Sequence, residues 1–441
     1  MPPVMSATVA SEPQAGWEQI KALLPAGWRE LASEMGVVRD DWPAHMNVKF
    51  TEVEPLLRLV FYYVAEGCSL EHAATVFAAK DIVTVTKAAI HFRLLTLAPY
   101  LAALLDKLRS AEQASEAVTR LAHGFVVRVL DASSVQRPGA TGTTARLHYA
   151  ITLTTLRLHE VKVTDDRGGE TLTQFTLLPG ELWLLDRGYS NPVNVRYALE
   201  HKAHVLCRWN RGSLPLFSGS GRPLDPRDKL AKLRAWQPYE WTSVYVDDGR
   251  GARIPVRLIA LRLAEPEAHA ARLRLRREMG HVLTEDQAFF CGFVLLVTTV
   301  PARDLPAADA LELYRMRWQV ELYIKREKSL GGLDELPCHK PAAIESWLYA
   351  KLLLSHLAHT LAVSTEAAFS PCDVDLDIGA DSLGPSRVAM PSLGGAGADV
   401  GGGEVSDRDV AAERRASAAG GAEETATVSD GSVEDGAARD A

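Results

Sequence analysis

ELWLLDRGYSNPVNVRYALEHKAHVLCRW, residues 181–209, is the stretch that decides the fold of this 441-residue chain. The apolar run ELWLL predicts a buried strand, and an acid, Asp186, follows it at once. NPVNVRYALEH then predicts a helix, and AHVLCRWN predicts the next strand. A strand, a helix and a second strand in this order indicate a sheet covered by helices.

Three further strands are predicted before this unit. GFVVRVLDASS (124–134) is an apolar run that ends in an acid, Asp131. ARLHYAITLTT (145–155) and LHEVKVTDD (158–166) alternate between apolar and polar residues, as half-exposed antiparallel strands do. We therefore expect an α/β fold with a mixed sheet flanked by helices, and an acid at the end of the first strand and of the fourth.

Residues 210–300 interrupt this alternation. They begin rich in Gly, Pro and Arg and continue with the strand-like runs WTSVYVDD, IPVRLIALRL and FCGFVLLVTTV. Between the last two runs lies HAARLRLRREM, which predicts a charged helix. We interpret the segment as a β-rich insertion within a domain that covers residues 119–363.

Residues 1–118 predict a helical N-terminal domain. A helix is expected around Trp17–Met35, and three more fall within residues 55–95, the second of them capped by Ser69. Two short helices, a turn and a third helix are typical of a DNA-reading helix-turn-helix. An ordinary helical bundle is the alternative.

Residues 364–441 differ sharply from the rest. They contain few large apolar side chains, and such a composition predicts disorder because it cannot bury enough surface to offset the entropy of ordering. From Glu366 onward there are 16 acidic and 5 basic residues, a net charge of −11, so the preceding 365 residues carry +3 of the chain's −8. A body of that charge is compatible with a local basic groove that binds nucleic acid.

The composition indicates a soluble protein of the reducing cytoplasm. The five cysteines are far apart and form no CxxC pair, which argues against a zinc site or a disulfide framework. No basic patch followed by an apolar run opens the chain, and no apolar stretch reaches the ~18 residues that a membrane span needs.

The stretch YRMRWQVELYIKREK (314–328) carries the most specific signal. It belongs to a long helix expected over residues 303–333. A phenol, an acid and two cations fall on one stripe of that helix, about 60° wide. These residues are Tyr314, Arg317, Glu321 and Lys328. An exposed helix with i,i+4 ion pairs is the alternative interpretation.

The acids Asp131, Asp186 and Glu321 are candidates for a metal site. A carboxylate at the end of a buried strand must be paired, become neutral or bind a metal ion. A single such Asp is most often a turn or cap residue, but three carboxylates from separate elements suit a hard cation such as Mg²⁺.

Taken together, VLDASSV, LLDRGYSN and the spacing Tyr-x2-Arg-x3-Glu-x6-Lys resemble the DDE transposases of bacterial insertion sequences, in the insertion sequence 4-like subgroup that this signature marks. The resemblance covers roughly residues 50–363. It implies a ribonuclease-H-like catalytic fold, with the first acid on the first strand, the second after the fourth and the third on a later helix. The family also has a β-rich insertion between its second and third acids.

The resemblance implies that Asp131, Asp186 and Glu321 hold two Mg²⁺ ions about 3.5–4 Å apart, with Mn²⁺ able to substitute. Asp131 would bridge both ions. Water would then attack to nick a transposon end, and the freed 3′-hydroxyl would attack target DNA. Arg317 and Lys328 would hold phosphates, and Tyr314 would contact the DNA backbone or an end nucleotide.

The implied partner is double-stranded DNA, both terminal repeats and target, bound by a homodimer in the nucleoid and not at a membrane. In that setting a tryptophan in or beside the insertion (Trp209, Trp236 or Trp241) could stack on a flipped base, although core packing is the default for each.

The C-terminal tail departs from the family, whose members usually continue with a helical region that supports dimerisation. We therefore also consider that the tail is not native, as in a frameshifted or truncated element. Two alternative functions follow. One is a non-catalytic protein that binds DNA ends and inhibits transposition, and the other is a plain metal-dependent nuclease.

Overall fold

The computed structural model describes most of the chain up to residue 369. The described ranges are 13–38, 50–115, 124–137, 139–140, 142–165, 167–329, 332–333, 336–337 and 339–369. The predicted disordered tail lies outside them beyond residue 369. Its expected start at residue 364 is too early, because a backbone helix continues to Phe369.

The N-terminal part is helical, as predicted. Its helices are α1 (Pro13–Leu23), α2 (Trp28–Glu34), α3 (Val53–Glu66), α4 (Leu70–Ala79), α5 (Lys87–Leu94) and α6 (Ala98–Ser115). The Ser69 cap is confirmed, since its side chain accepts a hydrogen bond from the His72 N–H. The single helix expected over Trp17–Met35 is two helices, separated where Gly27 takes a φ of 77°. DNA reading by α3–α5 stays a prediction.

The expected succession of strands is confirmed. The first part of the sheet contains β1 (Val126–Val135), β2 (Ala145–Thr152), β3 (Leu158–Thr164), β4 (Glu181–Leu185), α7 (Pro192–Glu200) and β5 (His204–Arg208). β1 pairs antiparallel with β2 but parallel with β4, and β4 pairs parallel with β5. The sheet is therefore mixed, as the sequence predicts.

The insertion is β-rich and includes the predicted charged helix. Its elements are β6 (Leu216–Ser218), α8 (Arg227–Leu230), β7 (Pro238–Asp247), β8 (Arg253–Arg262), α9 (Glu265–Met279), α10 (Glu285–Phe290) and β9 (Phe293–Thr298). These strands do not form a sheet of their own. They extend the first one through β9, giving nine strands in the order β3-β2-β1-β4-β5-β9-β8-β7-β6.

The prediction of one long helix over residues 303–333 is wrong in one respect. The structure has two helices there, α11 (Ala307–Arg315) and α12 (Trp318–Ser329), before α13 (Pro341–Phe369). At the break the Met316 and Arg317 amides donate to the carbonyls three residues earlier, a tighter turn than the α-helical one. Asp304 does not cap α11, whose N-cap is Pro306.

Two apolar cores lie on opposite faces of the sheet. One contains the N-terminal helices, α12, α13 and the sheet residues Val129, Leu184 and Leu206. The other contains α7, the insertion and the alternate residues Leu185 and Cys207. Because side chains alternate along a strand, the face of each sheet residue follows from its neighbours in these cores.

Among the described residues, no single helix is long and apolar enough to cross a membrane. The pair formed by α5 and the first part of α6, bent by 61° at their junction, passes the same test of length and composition.

Candidate active site

Asp131 and Asp186 lie side by side where the parallel part of the sheet ends. The register pairs Leu130 of β1 with Leu185 of β4, so the two acids are the next residues along both strands. Both follow a residue of the second core, so both project from the opposite face, toward α12. The sequence expected Asp131 at a strand end, but β1 continues to Val135 because its antiparallel partner β2 is longer than β4.

The turn after β4 fixes the Asp186 carboxylate. Its Oδ1 accepts hydrogen bonds from the Gly188 N–H at 2.7 Å and the Tyr189 N–H at 3.4 Å. The Glu170 carboxylate lies in the space that a Cβ at position 188 would occupy, so a larger residue there would displace the Glu170 side chain. Burial and the charge of Asp186 both raise the pKa of Glu170.

Arg317 joins two of the three predicted acids. It lies at the break between α11 and α12, with only 16 % of its side chain exposed. Its Nη1 is 3.4 Å from the Asp131 Oδ2, and its Nη2 donates to the Glu321 Oε1. The guanidinium therefore supplies a positive charge between a carboxylate of the sheet and one of the helix.

Asp131 is the most perturbed of these acids. Burial raises its pKa to about 6, Arg317 and a hydrogen bond from the Ala132 N–H oppose this rise, and the charges of Asp186 and Glu321 add to it. The Asp131 carboxylate thus interacts electrostatically with both Asp186 and Glu321. Concentrated negative charge of this kind is stabilised by bound cations.

The other two residues of the predicted stripe contact the same end of the sheet. The buried Tyr314 hydroxyl donates to the Leu185 carbonyl at 3.1 Å, directly before Asp186. The Lys328 Nζ donates to the Ser134 carbonyl near the end of β1 at 2.7 Å. In this state both groups tie their helices to the strands that carry the acids.

The residues present fit a divalent cation by their chemistry. Three carboxylates supply the oxygen donors that Mg²⁺ prefers, and the Arg317 charge occupies the space between two of them. Within the described ranges, no three acid, histidine or cysteine side chains converge closely enough to hold a metal ion as they stand.

Replacing Tyr314 with phenylalanine should destabilise the fold by about 1 kcal/mol, because the hydrogen bond to the Leu185 carbonyl is lost. We also expect DNA cleavage to slow by roughly ten-fold, the scale seen when a group that orients a site residue is removed. Chemical denaturation and single-turnover cleavage measure the two effects.

Tyr197→Phe is the matched control, because that hydroxyl also donates to a backbone carbonyl, of Phe175, at 2.9 Å. It should cost similar stability and leave cleavage unchanged. A weaker DNA affinity in the Tyr314 variant would instead indicate that this hydroxyl reaches DNA, as the sequence predicts.

His148 lies behind the Asp186 turn and is fully buried. Its Nδ1 is 3.1 Å from the Tyr189 hydroxyl and its Nε2 is 3.0 Å from the Thr164 hydroxyl. Burial, with a smaller contribution from the charge of Arg146, lowers the pKa of His148 to about 4. His148 is thus a hydrogen-bonded core residue.

The stability of the fold should therefore fall as the pH drops from about 6.5 to 4. In that window an unfolded histidine takes up a proton while folded His148 stays neutral, so protonation favours unfolding by about 2–3 kcal/mol in total. In the variant His148→Gln, the free energy of unfolding should depend less steeply on pH, because the contribution of His148 is lost. The contribution of His159, whose pKa burial lowers to about 2, should remain. Denaturation curves between pH 4 and 7.5 test this, and equal slopes for parent and variant would contradict it.

Sequence reasoning missed Glu170. Asp165, earlier in the same connection after β3, is exposed. Glu170, however, is half-buried beside Asp186. The sequence offered one sign of this position, the glycine at 188, whose missing side chain leaves room for the Glu170 carboxylate. For Trp209 the core interpretation holds, since the ring is buried and its Nε1 donates to the Leu214 carbonyl at 2.8 Å.

Comparison with known proteins identifies relatives of this chain. The family model "Transposase DDE domain" matches residues 122–357. The transposase for insertion sequence element IS421 of Escherichia coli is 30% identical over 310 residues, which cover 68% of this chain and 83% of the relative. The transposase for IS231B of Bacillus thuringiensis subsp. berliner is 22% identical over 397 residues, covering 79% and 80%.

Among solved structures, a synaptic complex of the piggyBac transposase with hairpin DNA covers 83% of this chain and 78% of its own at 9% identity. Its TM-score of 0.39 is too low to support an argument about the fold.

Proposed function

The chain belongs to the DDE transposase family, and from this premise we propose that it cuts the ends of an insertion sequence and joins them to target DNA by two-metal phosphoryl transfer. The single observation that carries the proposal is the meeting of Asp131, Asp186 and Glu321 at one end of the sheet, with Arg317 between two of them. We assign the sheet to the ribonuclease-H-like class and the chain to the subgroup with the Tyr-Arg-Glu-Lys signature.

In this proposal Asp131, Asp186 and Glu321 hold two Mg²⁺ ions, for which Mn²⁺ can substitute. When bound, such ions activate an attacking oxygen and stabilise a leaving one. Asp131 would hold the ions together with Asp186 on the neighbouring strand and with Glu321, to which the Arg317 guanidinium links it. Its raised pKa means that a proton or a cation beside the Asp131 carboxylate is favoured.

Arg317 has a second role in the proposal. Its guanidinium would hold a backbone phosphate of the DNA beside the acids, because its planar fork suits two phosphate oxygens. Lys328, tied by one bond to the Ser134 carbonyl, supplies a further cation at the same end of the sheet. A direct contact of Tyr314 with DNA stays a prediction that the phenylalanine variant tests.

The substrate we propose is double-stranded DNA, held by a homodimer that brings two ends together. The helices α3–α5 are the candidate reading unit. Helix α5 exposes the Phe92 side chain by 69 %, and its capping residue Thr86 accepts a hydrogen bond from the Ala89 N–H. An exposed, well-capped third helix is compatible with insertion into a groove.

A cleavage assay tests the proposal. The purified full chain is incubated with Mg²⁺ and labelled duplexes that carry the terminal repeats flanking its gene. We expect nicking at the repeat end followed by joining of the freed 3′ end to a second duplex. Nicking without joining would indicate a nuclease, and binding without any cutting would indicate a non-catalytic end-binding protein. EDTA should abolish cleavage and leave binding intact.

A further inference from the structure

Arg208 continues the row of residues that begins with the two sheet acids. The register pairs Leu130 with Leu185 and Leu185 with Cys207, so Asp131, Asp186 and Arg208 are the next residues on three adjacent parallel strands. All three follow a residue of the second core and therefore project from the same face of the sheet. With strands about 4.8 Å apart, Arg208 lies one strand beyond Asp186 and two beyond Asp131.

Two more arginines gather around this position. Arg187 directly follows Asp186, and Arg274 lies on α9 of the insertion. The charges of Arg187, Arg274 and Arg317 all act on the Arg208 guanidinium, in addition to the lowering of its pKa by burial and the opposite effect of Tyr314. Arginines from two parts of the chain, the sheet end and the insertion, thus converge beside the acids.

Asp131 and Glu321 do not neutralise Arg187 or Arg208. Both acids already form ion pairs with Arg317. In the described part of the chain, neither the Arg187 nor the Arg208 side chain forms a hydrogen bond or an ion pair. Both residues keep part of their surface in solvent, although enough protein surrounds the Arg208 guanidinium to lower its pKa. Neighbouring guanidinium groups repel one another, and an anion that binds among them reduces this repulsion.

We propose that Arg208, together with Arg187 and Arg274, forms a subsite that binds a backbone phosphate of the DNA strand next to the phosphate that is cut. The inference rests on the proposed function and adds a contact that the Tyr-Arg-Glu-Lys stripe does not contain. A guanidinium presents its donors in a fork that matches two phosphate oxygens. The position beyond Asp186 suits a phosphate that is held but does not react.

The subsite would make the insertion part of substrate binding. Arg274 comes from α9, and α9 and β9 belong to the segment that extends the sheet past β5. The Cys291 thiol at the end of α10 lies in the field of the same cations, since the charges of Arg272, Arg208, Arg187 and Arg274 oppose the rise of its pKa by burial. One strand of DNA on this cluster would therefore contact both the sheet and the insertion.

The salt dependence of DNA binding tests the subsite without any cleavage. Each phosphate contact that is lost should reduce the slope of log K against log salt by about one. We expect Arg208→Gln to show this reduction and to bind roughly ten-fold more weakly, while Arg208→Lys, which keeps the charge, retains the parent slope. These readings remain informative even if the chain proves not to cut DNA.

Arg250→Gln is the matched control. Arg250 is an exposed arginine whose Nη1 is 3.7 Å from the Glu200 carboxylate at the end of α7. The end of α7 lies near the start of β5, whereas Arg208 lies at the end of that strand. Arg250→Gln should leave the slope unchanged. Thermal melting verifies that all variants are folded.

Neutral methylphosphonates locate the contact. Replacing one phosphate at a time in an end duplex should weaken binding of the parent chain at several positions. At one of these positions, adjacent to the cut, the methylphosphonate should not weaken DNA binding by Arg208→Gln any further, because the contact with that phosphate is already lost. If Arg208→Gln has the parent slope, or is additive with every methylphosphonate near the cut, the subsite does not exist.

Discussion

Replacing Asp186 with asparagine should reduce cleavage of a transposon end by at least about 10²–10³-fold, the range found when one group that stabilises transition-state charge is removed. Asparagine lacks the negative charge with which Asp186 would hold a metal ion in the proposed site. Its side-chain oxygen can still accept from the Gly188 and Tyr189 amides, so the turn after β4 should keep its shape. DNA binding and folding should therefore stay close to those of the parent chain.

Single-turnover cleavage of a labelled end duplex in Mg²⁺ measures this effect. Asp165→Asn is the matched control, because that exposed carboxylate also accepts a backbone hydrogen bond two residues on, from the Arg167 N–H at 3.1 Å. The control should cleave like the parent. If Asp186→Asn cleaved at a comparable rate, Asp186 would be excluded from the metal site.

Replacing Glu181 with alanine should destabilise the fold by about 3–5 kcal/mol, because it leaves a buried charge without its partner. The Glu181 side chain is 2 % exposed, and its Oε1 accepts from the Arg128 Nε at 2.8 Å. Its Oε2 accepts from the Leu178 N–H and from the Trp183 indole. The pair joins β1 to β4, the two strands that carry the sheet acids.

Urea denaturation measures this loss. Glu71→Ala is the control, since Glu71 pairs with Lys87 on the surface, where both side chains are more than 60 % exposed. Such pairs contribute about 0–1 kcal/mol. Glu181→Gln keeps the shape of the side chain and part of its hydrogen bonding. Its loss of unfolding free energy should therefore lie between those of Glu181→Ala and Glu71→Ala. A loss below about 1 kcal/mol for Glu181→Ala would show that the Arg128 charge finds water or another partner.

Much of the architecture could be predicted because it is recorded in local periodicity. The apolar run before Asp186 and the alternating runs after Asp131 became β4, β2 and β3, and the charged run in the insertion became α9. Each depends on burial over a few neighbouring residues, which the spacing of apolar side chains reports directly. The Ser69 cap is equally local.

The break between α11 and α12 could not be predicted in this way. The apolar spacing runs through it without interruption, and the contact found at the break joins residues far apart in the sequence. Arg317 turns toward Asp131, 186 residues away in the chain. The same holds for Glu170, which packs over Gly188 although a polar residue next to two glycines is usually a solvated turn.

By itself the sequence determined the order of strands and helices, the placement of Asp186 directly after a buried strand and that of Glu321 on a helix. Only the tertiary structure decided which residues become neighbours. The register of β1, β4 and β5 aligned Asp131, Asp186 and Arg208. The physical reason is that periodicity reports which face of an element is buried, whereas register and helix position are set by the packing of two cores across the sheet.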